Sequence, residues 1–272
     1  MKRKIIVFTD LDGTLLDYHT YSFEKALPAI RLLKQRKIPL ILCSSKTRVE
    51  IEHYQKRLDN QHPFISENGG GIFIPKGYFR FDLAHLGYPI REDHKYFIIS
   101  LGMAYSILRD AIDLLQKRGF KIRGFGDMAA KEVAQITGLG LDEARLAKLR
   151  DFDEPFLFEG DEESLLKAIK EMGLNCICTK EGFYHLMGKN DKGKAIKILT
   201  RLYKKEFSYI VTIALGNGPN DIPMLERVDY PILLKNPHGV YNNILRPHFI
   251  KAGIASAGWN KALIDLLSLL DN

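Results

Sequence analysis

Cysteine is scarce: Cys43, Cys176 and Cys178 are the three in 272 residues, with no CxxC pair and no metal-finger spacing. An odd count without a framework argues against a disulfide-stapled fold and makes a reducing compartment the natural reading. Cys176 and Cys178 flank Ile177 in a strand-like run, but two thiols without a CxxC pair or metal-finger spacing do not make a metal site. Long apolar runs are missing too. The run Ile5 to Phe8 meets Asp10 almost at once, too short for a signal peptide, and no stretch approaches the roughly 20 apolar residues of a membrane span. The expectation is a cytoplasmic protein without a membrane partner. Repeats and low-complexity tracts are absent. The charge excess is modest: 40 Lys+Arg against 33 Asp+Glu leaves +7. The densest basic runs, Lys2-Arg3-Lys4 and residues 189–197, are not blocks of one sign, and no nucleic-acid motif accompanies them. No nucleic-acid partner is expected, and an anionic small substrate accounts for the excess equally well.

What remains is 46% hydrophobic and 27% charged, enough to bury a large core. Apolar β-branched runs alternate with helical periodicity at the start of the chain. Ile5–Phe8 reads as a strand buried on both faces. A helix is expected over 22–37, with Pro28 near its first turns. A strand follows over 39–43, a helix over 48–58, and strands over 63–66 and 72–75. This alternation predicts an α/β fold, a doubly wound Rossmann-like core. Over 86–188 the pattern changes. Strands over 94–102, 120–123, 155–158, 175–179 and 183–187 mix with helices over 105–118, 131–137, 141–150 and 162–172. That region reads as an inserted α+β domain, a cap, between core segments 1–85 and 189–272. The core rhythm returns with a helix over 194–205 and strands over 209–215 and 230–234. A final amphipathic helix runs over 259–270.

Ligands of open α/β sheets gather at the carboxyl ends of the strands. Polar clusters fall there: Asp10 and Asp12 after the first strand, Ser44 after the second, Asn217 and Asp221 after the late one. Lys192 stands at the start of the helix that re-enters the core. Two carboxylates two residues apart can face one reacting phosphate, one as nucleophile and the other as acid/base. Two anions facing an anionic ester require positive charge, from a hard cation such as Mg²⁺ and from Lys192. Ser44 can donate to a phosphoryl oxygen, and Gly13 permits a tight turn. Taken singly, each signal is weak: a lone DxD is often a turn, Ser44 a helix cap, Lys192 a surface residue, and Asn217-Gly218 a turn. Their order after apolar strands gives the set its weight.

These stretches, Phe8-Thr9-Asp10-Leu11-Asp12-Gly13-Thr14-Leu15, Leu42-Cys43-Ser44, Asp191-Lys192-Gly193-Lys194 and Gly216-Asn217-Gly218-Pro219-Asn220-Asp221, resemble the haloacid dehalogenase superfamily of phosphohydrolases. Glu67-Asn68-Gly69 is similar to a stretch of the branch with a large α/β cap. Ser44-Ser45-Lys46-Thr47, the run 150–157 and His185-Leu186 through Ala195 resemble members that act on small phosphorylated sugar-glycerates. The resemblance implies Mg²⁺-dependent hydrolysis in an osmolyte pathway. It makes Asp10 the nucleophile and a metal ligand, and Asp12 the acid/base with its carbonyl on the metal. Ser44 and Lys192 would hold the phosphoryl group, and Asn217 and Asp221 would complete the metal site. Lys46 and Lys189 are candidates for the glycerate carboxylate, Glu67 and Asn68 for sugar hydroxyls, and His185 for a further substrate contact. The chain departs from the family at Asn217, where Asp is usual; a neutral ligand there should weaken the metal site. Alternatives remain open at this level: a phosphatase for another sugar phosphate, a phosphomutase, or a binding-only homologue with a weakened metal site.

Overall fold

The computed structural model describes residues 4–83, 87–178, 182–241 and 246–271. Lys2, Arg3, Thr179 and the expected domain boundary at 85–86 lie outside them.

The chain opens with strand β1 (Lys4–Thr9), a short 3-10 turn (Glu24–Ala26), helix α1 (Leu27–Gln35), β2 (Leu40–Cys43), α2 (Arg48–Leu58), β3 (Phe64–Ser66) and β4 (Gly71–Pro75). The helix expected over 22–37 is thus split, and Pro28 lies in the first turn of α1, where its missing N–H costs nothing. Thr47 caps α2 in a reciprocal box with Glu50, which fixes where the loop after β2 ends. Next come β5 (Ile90–Glu92), β6 (Tyr96–Ser100), α3 (Tyr105–Lys117), β7 (Lys121–Gly124), α4 (Ala130–Thr137) and α5 (Leu141–Ala147). Then follow β8 (Asp153–Glu159), α6 (Glu162–Glu171), β9 (Asn175–Cys178) and β10 (Tyr184–Met187). The chain closes with α7 (Lys192–Phe207), β11 (Ile210–Gly216), α8 (Ile222–Leu225), β12 (Tyr230–Lys235), β13 (Ile250–Ile254) and α9 (Ala255–Asp271).

Among the described residues, nine strands form one sheet in the order β13-β12-β11-β1-β2-β3-β4-β6-β5. The six from β13 to β3 run parallel, and β4, β6 and β5 continue the sheet antiparallel. Side chains alternate across it: Val7 packs with α1, α2 and α9, whereas Ile6 and Phe8 pack with α7 and α8. This is the doubly wound arrangement expected.

The insert boundary is corrected. The strand at 96–100, assigned from sequence to the insert, pairs with β4 from Gly71↔Ser100 to Pro75↔Tyr96 and belongs to the large sheet. Its alternating apolar residues suit either sheet, and the free edge of β4 claims them. The second sheet, β7-β8-β10-β9, is antiparallel. One face packs on α3 and α6 through Phe156, Leu186, Leu108 and Leu165. The other carries Pro155, Ile177 and His185, register partners that all line one cleft.

Helix α9 reaches the start of the site. Trp259, fully buried, donates from Nε1 to Thr9 Oγ1 (2.9 Å), and Thr9 Oγ1 donates to the Asp10 carbonyl (2.8 Å). Trp259→Phe loses that hydrogen bond and part of the ring volume, so stability should fall by about 1–3 kcal/mol. Chemical denaturation followed by circular dichroism checks this, since the variant has no tryptophan left to report. An unchanged midpoint would dismiss the link.

Candidate active site

Strand β1 ends at Thr9, and the backbone then turns rather than continuing extended: Thr14 and Leu16 N–H donate to the Leu11 carbonyl. The turn still leaves Asp10 and Asp12 on the wall of one cleft, of about 600 Å³, between the two sheets. Gly13 makes this possible with φ +69°, and a Cβ there would lie 2.4 Å from Asn217 Nδ2. The loops after β1 and β11 therefore touch at glycine distance.

Asp10 is 6% exposed and Lys192 and Asp221 are fully buried. Lys192 Nζ lies 2.7 Å from Asp10 Oδ1 and 2.7 Å from Asp221 Oδ1. Thr14 Oγ1 donates to Asp10 Oδ2 at 3.2 Å. Burial pushes Asp10 up to about 7, the Asp221 charge adds to this, and Lys192 opposes it. Lys192 itself is held above the ordinary lysine range, because Asp10 and Asp221 outweigh the burial that works against its charge. One ammonium thus serves two buried carboxylates, leaving an excess of negative charge.

Asp12 Oδ2 pairs with Lys46 Nζ at 3.1 Å, and Glu50 Oε1 is 3.4 Å from the same nitrogen. Burial works against the Lys46 charge, but Asp12 and Glu50 raise its pKa above the ordinary range. Lys46 also lies 5.4 Å from the ring centre of Tyr21 and 5.8 Å from that of Tyr54. Lys46 lines the cleft as expected, but its charge is already committed to Asp12 and Glu50. Ser44 is fully buried at the end of β2, and its Oγ accepts from Lys46 N–H at 3.2 Å.

Asp221 Oδ2 accepts from the N–H groups of Asn217 and Gly218, both at 2.9 Å, which organises the turn after β11. Asn217 Nδ2 is 3.3 Å from the Asp12 carbonyl. Among the described residues, no three His, Cys, Asp or Glu side chains cluster to hold a metal ion. The set expected from sequence draws instead on a backbone carbonyl and an amide. The Asn217 amide meets the Asp12 carbonyl on the cleft that Asp10 also lines, and a half-turn of that amide offers its oxygen. An all-oxygen donor set beside uncompensated negative charge fits a hard divalent cation.

The expected substrate contacts divide. His185 lines the cleft, with Nδ1 at 2.8 Å from Asp153 Oδ1, which orients the ring. Asn68 and Glu67 do not line it. Asn68 Nδ2 donates to Asp153 Oδ2, and its Oδ1 accepts from Asn220 Nδ2, both at 3.0 Å. Fully buried Glu67 accepts from the N–H groups of Asp151 (3.1 Å) and Phe152 (2.7 Å), fastening the core loop to the chain entering β8. Gly69, at φ +88°, lets this loop approach the Asp191 carbonyl, 2.2 Å from where a Cβ would sit. Lys189 is exposed, outside the cleft wall, and its carbonyl accepts from Lys194 Nζ. Sequence reasoning did not single out Tyr18, His19, Arg150, Asn220 or His238, which line the cleft from loops without periodicity. Asp153-Glu154 offered a usable signal: two acids opening an apolar strand demand partners.

The family model of haloacid dehalogenase-like hydrolases matches residues 7–82 and 143–242. A Methanococcoides burtonii protein named glucosyl-3-phosphoglycerate/mannosyl-3-phosphoglycerate phosphatase is 48% identical, over 99% of each chain. A Persephonella marina protein of the same name is 40% identical, over 98% of each. A Thermoplasma acidophilum crystal structure superposes with TM-score 0.68 at 18% identity, covering 98% of this chain and 99% of its own, a likeness of fold.

Glu67 supplies a test of the wall behind the site. Burial pushes its carboxyl from 4.5 up to about 8, with Arg150 opposing. The folded state then keeps a proton that the unfolded state releases, so stability should fall as pH rises from about 4.5 to about 8. One such proton gives at most about 1.4 kcal/mol per pH unit. Glu67→Gln cannot titrate, and its denaturation midpoints should lose that part of the slope; identical slopes would refute the assignment.

Proposed function

This chain belongs to the haloacid dehalogenase-like hydrolases, and we propose that it is a phosphatase cleaving the phosphate ester of glucosyl- and mannosyl-3-phosphoglycerate. The observation that carries the reaction class is a pair of cleft-facing carboxylates, each tied to its own lysine: Asp10 to Lys192 and Asp12 to Lys46. The substrate rests on the near full-length similarity to the two relatives so named.

In this reading an Asp10 carboxylate oxygen attacks phosphorus, and the bond from phosphorus to the glycerate oxygen breaks. Asp12, as the acid, gives its proton to that departing oxygen, leaving a sugar-glycerate alcohol. The aspartyl phosphate is then opened by water. Asp12 takes the water's proton as the new bond to phosphorus forms, and inorganic phosphate leaves with the Asp10 carboxylate restored. Lys46 holds Asp12 in place, and the Ser44 hydroxyl and Lys192 ammonium, buried behind the cleft wall, would reach the phosphoryl oxygens past Asp10. Lys192 fixes Asp10 with one oxygen toward its ammonium and also neutralises part of the charge gathered at phosphorus. Asp10, the Asp12 carbonyl and Asn217 would hold Mg²⁺, with Asp221 behind them ordering the turn. The ion supplies charge neutralisation and Lewis acidity at the phosphoryl group. His185 on the insert side and Asn220 on the core side line the cleft and would meet sugar hydroxyls, while Glu67, Asn68 and Lys189 do not line it.

Two outcomes follow. With Mg²⁺, phosphate release from both sugar-3-phosphoglycerates should be measurable, and Asp10→Asn should lower it by roughly a thousandfold or more. Activity that survives Asp10→Asn would reject the nucleophile. Asn217→Asp restores a negative ligand and should tighten Mg²⁺ binding on the order of tenfold by titration calorimetry. Equal affinity in both proteins would show that residue 217 does not face the ion.

A further inference from the structure

Arg150 lies between α5 and β8, on the cleft wall and partly buried. Its guanidinium is anchored by two main-chain acceptors: Nε donates to the Ala147 carbonyl and Nη1 to the Ser45 carbonyl, each at 2.8 Å. The second bond crosses from the insert to the loop after β2. Among the described residues no carboxylate approaches this guanidinium within ion-pair distance. Lys46, the other lysine or arginine on the cleft wall among the described residues, already holds Asp12 and Glu50.

Four acids surround Arg150, and each has a nearer partner. Asp153 is bonded to His185 and Asn68, and Glu154 to Arg109, Tyr105 and the Gly126 N–H. Glu50 is bonded to Lys46 and the Thr47 cap, and Glu67 to the N–H groups of Asp151 and Phe152. Burial works against the Arg150 charge, but Asp153, Glu50 and Glu154 keep it ionised. A guanidinium carries five N–H donors. Among the described residues two of these are engaged, which leaves three for a two-point grip on a planar oxyanion.

We propose that Arg150 reads the glycerate carboxylate of the substrate and so selects sugar-glycerate phosphates over plain sugar phosphates. The assignment rests on the phosphatase reading above. The glycerate carboxylate is the substrate's second anion, separate from the ester phosphate that meets Asp10 and Lys192. Of the two cations expected from sequence to meet it, Lys46 is taken by Asp12 and Lys189 is outside the cleft wall. Anchoring by two carbonyls fixes the fork before the ligand arrives, which reduces the ordering cost of binding.

The test compares mannosyl-3-phosphoglycerate with its neutral glyceramide analogue on wild type, Arg150→Gln and Arg150→Lys, with Mg²⁺ present. In wild type the amide should raise KM by roughly 10- to 100-fold with a smaller change in kcat. Arg150→Gln should bring the acid and amide to nearly the same KM, because the acid alone loses a partner. Arg150→Lys should retain part of the preference, and a circular dichroism melt establishes that each variant is folded. Equal losses on acid and amide would overturn the proposal, since they mean that Arg150 supports the fold or the phosphoryl group instead. A wild type that turns over neither compound would remove the phosphatase reading, and Arg150's role with it; normal wild-type turnover with an undiminished acid preference in Arg150→Gln removes Arg150 alone.

Discussion

A buried ammonium shared by two buried carboxylates is the constraint around which the site is built. Lys192 begins α7, Asp10 follows β1, and Asp221 closes the turn after β11, so three separate segments must converge to within 2.7 Å. A charge taken from water needs its partners, and removing one partner of a buried pair typically costs about 3–5 kcal/mol. The register of β1 with β11, from Lys4↔Ile210 to Thr9↔Leu215, brings Asp10 and the Asp221 turn together. Asp191 caps α7 by accepting from Lys194 N–H at 2.7 Å, which sets where Lys192 emerges. Secondary structure, sheet order and charge pairing therefore determine one another.

The same charges explain the chemistry available. Lys192 cannot neutralise Asp10 and Asp221 together, so the site keeps a demand for positive charge. Asn217, a neutral residue, reduces that demand relative to the family pattern without abolishing oxygen donation. Asp12 stands apart from the triad, paired with Lys46, and in the proposed reaction it is the group that exchanges a proton while Asp10 is covalently engaged. The two aspartates to which the proposed reaction gives different roles sit beside different cations.

Much of this was legible in the sequence. Strands β1, β2 and β11 are continuous apolar runs that end abruptly in Asp10, Ser44 and Asn217, so the core and the polar strand ends could be read together. The boundary of the insert could not, because Tyr96–Ser100 alternates in a way that suits either sheet and only the open edge of β4 decides. Glu67, Asn68 and Lys189 carry the right chemistry for a sugar-glycerate, but backbone position overrules it. Glu67 and Asn68 adopt positive φ and are buried, and Lys189 does not line the cleft. Arg150 was hidden for the opposite reason: it follows α5 without periodicity, and the role proposed for it rests on its having no acidic partner within ion-pair distance among the described residues, a property no spacing encodes.

The proposed reaction depends on Asp10 becoming covalently phosphorylated. Rapid acid quench of the Mg²⁺-loaded enzyme during turnover of sugar-3-phosphoglycerate carrying a radiolabelled phosphoryl group, followed by peptide mapping, tests it most directly. The label should appear on the peptide containing Asp10 and decay as phosphate is released. Phosphate release with no label on the protein at any quench time, or label on a peptide lacking Asp10, would contradict it.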